Sequence, residues 1–482
     1  MRNAYRPPLR PLFILLPLGV MLLCAPFISL CAQYSSTNVA HSSRSVTHSA
    51  MPQSSRPERT ATQQTLITVL RVTLYIVVTT IFVYMARHLL FTLNRLFGRQ
   101  RHPYLDVDTA AWPSVTVLVP AHNEEKVIAH ALEALVDVDY PRDQLRIMPI
   151  DDRSEDMTAE IIGQFAAQYS TLIHPYFRSE GKPGKAAVLK DATKLIDSEI
   201  IVVFDADYIP GRGLIKQLTA PFFDPEVGAV MGRVVPHNTG SNLLTRLLDM
   251  ERAGGYQVDQ QARMNLQLVP QYGGSVGGVR TQALLAVGGW NDNALAEDTD
   301  LTYRLLLHGY KTVYENRSEC YEEVPEHWQE RNRQIMRWAK GHNQSAFRYA
   351  WRVIVSPRVG FLERIDGLLL LGVYAVSPLL LIGWLCAIAL YYLGEQLLPN
   401  TLLALTVMVA FSSIGNFAAF FEIGAAVHLD GSKRRICLLP LNFLNFLISL
   451  INTSRAIVQL VFDTVLRQRL HWHKTKRFRN GR

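Results

Sequence analysis

The chain has 482 residues, a formal charge of +8 and an apolar content of 49%. That length admits two or three domains. Its basic residues cluster beside long uncharged runs, with no nucleic-acid-binding motif among them, which argues against nucleic acid as a partner and for a membrane surface. Five cysteines (Cys24, Cys31, Cys320, Cys386 and Cys437) form no CxxC pair. They exclude a disulfide framework and a zinc site, and are expected as buried small hydrophobes.

In chain order, residues 11–32 form an apolar run behind Arg2, Arg6 and Arg10. Residues 1–33 therefore read as a signal peptide or a first transmembrane helix. Residues 34–64 are rich in Ser, Thr, Gln and His and read as a flexible extracytoplasmic linker. An apolar stretch over 65–94 is a predicted transmembrane helix. The basic cluster of Arg95, Arg99 and Arg101 behind it puts residues 95 onward in the cytoplasm by the positive-inside rule.

Residues 112–352 have the composition of a soluble α/β domain. VTVLVP (115–120), LRIMPI (145–150) and IIVVF (200–204) are predicted strands, with helical stretches such as 124–136 between them. Alternation of this kind predicts a parallel sheet covered by helices, with ligands bound beyond the carboxyl ends of the strands. Three further apolar blocks lie at 366–394, with a kink expected at Pro378, then at 401–429 and 437–463; together 366–463 read as transmembrane and interfacial helices. Asn416, Glu422, Asn442 and Arg455 are polar groups inside these blocks, where a channel or a pairing within the bundle is expected. The tail from Leu466 carries seven Lys or Arg and no acid. We read 464–482 as a basic cytoplasmic tail, so an even number of crossings is expected after the domain.

The strand ends carry the chemistry. VPAHNEE (119–125) contributes Pro120, Asn123 and Glu125, with Asn123 as a candidate N-cap of a helix that faces phosphate. Asp151 and Asp152 end the second strand, where a carboxylate accepts from a nucleobase imide or a ribose. GKPGKAAVLK (181–190) offers Lys182 and Lys185 to a diphosphate. Asp205 and Asp207 in FDADYIP stand two apart, so both can reach the same side of the turn, and a hard divalent cation prefers such carboxylate oxygens. In GGSVGG (273–278), Gly274 and Ser275 are candidates for close approach of an acceptor. Glu297 and Asp298 come next, with Asp298 as candidate general base. Gln334, Arg337 and Trp338, at i, i+3 and i+4, share one face of a predicted interfacial helix over 328–350. Taken singly, these segments have plainer readings as a capped helix, a solvated basic turn, acids at a helix start and an amphipathic surface helix.

The order DD (151–152), DAD (205–207), ED (297–298) and QIMRW (334–338) resembles the signature of processive family-2 glycosyltransferases. That group makes cellulose, chitin, hyaluronan and poly-N-acetylglucosamine. The resemblance covers about 113–350 and implies a GT-A catalytic domain, a Rossmann-like mixed sheet flanked by transmembrane helices. It implies a UDP-sugar donor and Mg2+ or Mn2+ on Asp205 and Asp207, with Asp151 and Asp152 at the uridine. Lys182 or Lys185 would lie at the diphosphate, Asp298 would be the base, and Gln334, Arg337 and Trp338 would form a lip over the acceptor. HWHKTKR (471–477) resembles a basic segment after the last apolar block in some members. Two features depart from the pattern: Ala296 stands where Thr is frequent, and GGSVGG lacks the aromatic and cysteine residues of cellulose-synthase acceptor loops.

The expected function is inverting transfer from a UDP-sugar to a growing β-linked polysaccharide at the cell membrane, with export coupling and accessory export subunits left open. The alternatives are a single transfer to a lipid such as diacylglycerol and a non-catalytic sugar-nucleotide-binding scaffold. A transporter is disfavoured because the apolar segments show no internal repeat.

Overall fold

The computed structural model describes residues 59–102, 111–395 and 414–465. The expectations for 1–33, for most of the 34–64 linker, for the first part of the 401–429 block and for the basic tail lie outside these residues, as do Cys24 and Cys31. The chain divides into two units between Val72 and Thr73.

The first described helix, α1 (Ala61–Phe97), begins four residues before the predicted span. Thr60 and Gln63 explain the difference. The Gln63 backbone N–H donates to Thr60 Oγ1 at 3.2 Å, and the Thr60 N–H donates to Gln63 Oε1 at 3.1 Å. This is a capping box, and it starts the helix inside what composition alone reads as linker.

The α/β domain alternates strands and helices: β1 (Val115–Ala121), α2 (Ile128–Val136), β2 (Leu145–Asp152), α3 (Thr158–Gln168), β3 (Tyr176–Arg178), α4 (Lys185–Thr193) and β4 (Ile200–Val203). Then come β5 (Ile209–Pro210), α5 (Leu214–Thr219), β6 (Val227–Pro236), α6 (Leu243–Ala253), a π-helical turn (Gly254–Gln260) and α7 (Gln261–Leu266). β7 (Gly277–Arg280), α8 (Thr281–Ala286), α9 (Glu297–His308), β8 (Lys311–Glu322) and α10 (Trp328–Val355) complete it. The eight strands form one sheet in the order β3-β2-β1-β4-β7-β6-β8-β5. The three strands expected from sequence are parallel neighbours, with Ala121 opposite Asp151 and Val115 opposite both Leu145 and Ile200. β7 is antiparallel to β4 and β6, so the sheet is mixed. Alternate residues of the parallel strands bury on opposite faces: Val117, Val119, Ile147 and Val202 on one, Leu118, Met148, Ile150 and Val203 on the other. Burial on both faces is why these strands read as unbroken apolar runs.

Two local expectations need correction. Asn123 is not an N-cap, because α2 starts at Ile128 behind a turn in which the Val127 and Ile128 N–H groups donate to Glu124 O. Asn123 is instead left-handed (φ 55), a conformation asparagine tolerates well. The glycines of GGSVGG do not all face a ligand either. Gly277 and Gly278 lie within β7, where the Tyr272 and Phe222 rings occupy the space a Cβ would need.

Beyond the domain, α11 (Phe361–Gly372), a 3-10 turn (Val373–Ala375) and α12 (Val376–Tyr392) form one interrupted helix. The turn contains Tyr374, four residues before Pro378, whose ring clashes with that carbonyl in a regular helix. α13 (Ile414–Leu429) and α14 (Leu439–Val465) are the last described helices. Among the described residues three helices are long and apolar enough to cross a membrane: Ala61–Phe97, Phe361–Tyr392 and Arg434–Asp463. Glu422 is paired, its Oε2 lying 2.6 Å from His88 Nδ1. Cys320 and Cys386 are buried as expected, whereas Cys437 is exposed.

Candidate active site

The strand order turns back between β1 and β4, since β2 and β3 lie on one side of β1 and β4 on the other. Neighbouring loops diverge at such a point and leave a crevice at the carboxyl ends. A cavity of about 1060 Å3 opens there. It is lined by Pro120 from β1, Asp152 from β2, Lys185 from α4, Asp205 and Asp207 after β4, and Ser275. Glu297 and Asp298 from α9 and Gln334, Arg337 and Trp338 from α10 line its other side. Residues spread over more than two hundred positions thus meet in one space.

Five candidates do not line this cavity. Asn123 Oδ1 accepts from the Glu155 N–H at 2.8 Å and Glu125 Oε2 from the Met157 N–H at 3.1 Å. They staple the two loops after β1 and β2 together. Asp151 is buried and its Oδ2 accepts from the Ser154 N–H. Lys182, 63% exposed, pairs with Asp292 at 2.9 Å. Gly274 (φ +74) packs tightly against Asp298, since a Cβ there would lie 3.1 Å from the Asp298 Cβ.

On the donor side the sequence reading missed Arg178. Its guanidinium is 1% exposed and donates to Asp152 Oδ1 at 2.9 Å, to Asp191 Oδ2 at 2.8 Å and to Lys182 O at 2.8 Å. One buried cation therefore fixes an acid of β2, α4 and the glycine-rich loop together. Gly181 (φ +104) passes directly over this guanidinium, and a Cβ there would collide with it. Lys185 Nζ donates to Asp205 Oδ1 at 2.5 Å and lies 3.8 Å from Glu297 Oε1. Burial disfavours its ammonium, but Asp205 and Glu297 outweigh that and hold it above the ordinary lysine range.

On the opposite side, Asp298 Oδ1 accepts from the Thr299 N–H at 2.6 Å and from Thr299 Oγ1 at 3.2 Å. Burial pushes Asp298 above the ordinary aspartate range, against the pull of Thr299 and Lys185. Burial also raises Glu297, with Lys185 opposing and Asp298 reinforcing the shift. The helix beneath seats this turn closely: a Cβ on Gly341 would lie 2.5 Å from Ala296 Cβ. His342, next in sequence, lines the cavity and stands 3.4 Å from Thr299 Oγ1. Burial lowers its pKa to about 4, so it is neutral at pH 7. The signal that sequence reading passed over is the Gly-His pair one turn after Trp338.

Gln334 Oε1 accepts from Arg331 at 2.8 Å. Trp338 engages two cations through its ring, with Arg252 and Arg331 at 4.9 and 5.3 Å from the centroid. Arg252 also donates to Glu322 Oε1, and Tyr208 OH to Glu322 Oε2 at 2.9 Å. The π-helical turn forms the floor with Gly255, Tyr256, Asp259 and Gln260. Asp259 is held by Arg87 of α1 at 2.5 Å and by Arg263 at 3.1 Å.

The residues fit a divalent cation in one way only. No cluster of three or more His, Cys, Asp or Glu occurs among the described residues. Asp205 and Asp207 would supply two oxygens, and Mg2+ or Mn2+ would take the rest from phosphate and water, as hard cations do in phosphate-handling sites. Asp205 Oδ1 carries the Lys185 ammonium, so a metal ion would share this carboxylate with Lys185.

A mixed sheet with a carboxylate-lined crevice at its switch point defines a GT-A glycosyltransferase domain. The fold is similar to that of the mannosyltransferase PcManGT from Pyrobaculum calidifontis in complex with GDP-Man and Mn2+ (TM-score 0.52, 22% identity, 76% of this chain and 98% of that one). A model described as glycosyltransferase like family 2 matches residues 113–341. The probable glycosyltransferase YdaM of Bacillus subtilis is 33% identical over 240 residues, 49% of this chain and 57% of that protein. The beta-monoglucosyldiacylglycerol synthase of Trichormus variabilis is 31% identical over 341 residues, 69% of each. The match thus spans just over half of YdaM and about two thirds of the synthase. The chain belongs to glycosyltransferase family 2 and is an enzyme of that family.

Proposed function

We propose that the enzyme transfers one sugar from a UDP-sugar to a membrane lipid such as diacylglycerol, inverting the anomeric configuration. The observation that carries this reading over polysaccharide synthesis is the match to the beta-monoglucosyldiacylglycerol synthase, which at 341 residues outruns the 113–341 span of the family model. The likeness therefore continues into the segments that flank the catalytic domain. Three helices suited to a bilayer put such an acceptor within reach. We place the catalytic domain on the cytoplasmic side, behind the basic Arg95, Arg99 and Arg101, with lipids as the partner of the flanking helices.

In this reading Asp151 and Asp152 receive the nucleoside. Asp152 lines the cavity, and Asp151 beside it is buried behind the lining with an Oδ1 that has no hydrogen-bond partner among the described residues. Asp205 and Asp207 hold the cation, which when bound neutralises the departing diphosphate. A nucleotide sugar with a divalent cation is also what the mannosyltransferase of similar fold holds. Lys185 and Arg337 add fixed positive charge to the same cavity. Asp298 takes the proton of the acceptor hydroxyl, which attacks the anomeric carbon in line as UDP leaves.

Lys182 and Lys185 separate in this scheme. Lys185→Ala is expected to lower turnover by about 10²–10³-fold, the scale for losing one aimed charge-stabilising group. Lys182→Ala should stay near the parent, since its exposed ammonium pairs with Asp292 outside the cavity. UDP release by the two variants checks this, and equal losses would contradict it.

Processive synthesis is the second reading, favoured by Gln334, Arg337 and Trp338 all lining the cavity. Product analysis decides between them. Purified protein given diacylglycerol, Mg2+ or Mn2+ and each UDP-sugar in turn should yield one short glycolipid. A ladder of long chains would replace that reading with polymer synthesis.

A further inference from the structure

A second cavity, of about 200 Å3, lies behind Trp338. Glu251, Trp338 and Tyr374 line both it and the catalytic cavity, so these three side chains form the partition. Its far walls come from helices outside the catalytic domain: Ala419, Phe420 and Ile423 on α13, Asn445, Phe446 and Ser449 on α14. The outer surfaces of the same helices are apolar and exposed, with Phe421, Leu444 and Ile451 each more than half accessible. The void therefore stands between the reacting groups and the surface these helices would turn to a bilayer.

Its lining combines two chemistries. Phe420, Ile423 and Phe446 suit hydrocarbon. Asn445 is 3% exposed, and its Nδ2 donates to Glu251 Oε2 and to Asn442 Oδ1, each at 3.2 Å. Its Oδ1 has no hydrogen-bond partner among the described residues. A buried amide oxygen in that state is costly unless something with a donor visits it. The volume matches about seven waters at roughly 30 Å3 each. That suits a glycerol backbone with its ester groups and leaves no space for several linked sugars.

We propose that this cavity is the lateral portal for the acceptor lipid. The glycerol backbone of a neutral acylglycerol rests here and its acyl chains leave between α13 and α14. Its free hydroxyl supplies the donor that Asn445 Oδ1 lacks on the way in, then passes Trp338 and Tyr374 to Asp298. This rests on the glycolipid reading above.

The test narrows the cavity from opposite walls in the full-length protein, with Ala419→Phe on α13 and Ser449→Phe on α14. Binding of UDP serves as the folding control. Each variant should raise the KM for diacylglycerol by about tenfold or more with UDP affinity unchanged, the pattern of lost acceptor binding. A diacylglycerol carrying a photoreactive group beside its ester should label α13 or α14 in the parent protein. Parent-like KM values in both variants, or labelling confined to other helices, would overturn the portal. Should both variants lose UDP binding, the labelling decides. If the parent makes no glycolipid from any UDP-sugar, the functional reading falls first and takes the portal with it. If it makes long chains that these variants shorten, the cavity belongs to a polymer and the lipid assignment fails.

Discussion

Asp298→Asn is expected to lower sugar transfer by about 10²–10⁴-fold, the range general-base catalysis contributes, while leaving UDP affinity near that of the parent. The substitution keeps the shape of the side chain, and an amide oxygen still accepts from the Thr299 N–H that now holds Asp298 Oδ1. What disappears is the capacity to take a proton. Glu297 is the neighbour with the best chance of substituting for it, but its carboxylate is turned toward Lys185. The pH profile gives a second readout. Burial raises the pKa of Asp298, and a base works only when ionised, so transfer should fall as pH drops through a value above the ordinary aspartate range. That acid limb should be missing from the residual activity of Asp298→Asn. A variant with near-parent turnover, or with the same limb, would move the base to another residue.

Much of the site was legible because it sits at the ends of short buried strands. VTVLVP, LRIMPI and IIVVF are apolar on both faces and each stops at polar residues, so their ends mark where the loops of the crevice begin. The three strands are indeed adjacent and parallel. The other half of the sheet was not legible. β7 is a four-residue strand with two glycines, whose shape is dictated by the Tyr272 and Phe222 rings that fill the missing side chains' places. Periodicity carries no trace of such a strand, and its glycines invite a ligand-binding reading. Spacing also could not separate Lys182 from Lys185. The two lie three residues apart, but only Lys185 begins α4 and turns into the cavity, whereas the positive-φ turns at Gly181 and Gly184 carry Lys182 outward. The QxxRW segment was readable as a helix face. Its use of Trp338 as the partner of Arg252 and Arg331 depends on α6 and on the start of α10, which only the tertiary fold brings together.

Arg178→Ala should be strongly destabilising although it leaves every motif acid in place. The guanidinium is 1% exposed and its partner Asp152 is 9% exposed, so solvent screens the pair little. Removing one member of a buried ion pair leaves the other charge uncompensated, a loss of about 3–5 kcal/mol. Asp191, at 28% exposure, retains Lys194 at 2.7 Å and suffers less. Asp152 keeps only Arg153, which is itself partly exposed. The consequence reaches the site through geometry. Arg178 donates to Lys182 O, so its loss frees the glycine-rich loop that leads into Lys185, and with it the cation resting on Asp205. Thermal unfolding in detergent should show a marked drop in midpoint for Arg178→Ala, together with weaker UDP binding. Asp152→Asn should unfold closer to the parent, because Arg178 keeps Asp191 and the Lys182 carbonyl. If the two variants unfold alike and near the parent, the pair is no keystone, and the loop must be held by contacts on its other side, beginning with the Lys182 and Lys190 pairs to Asp292.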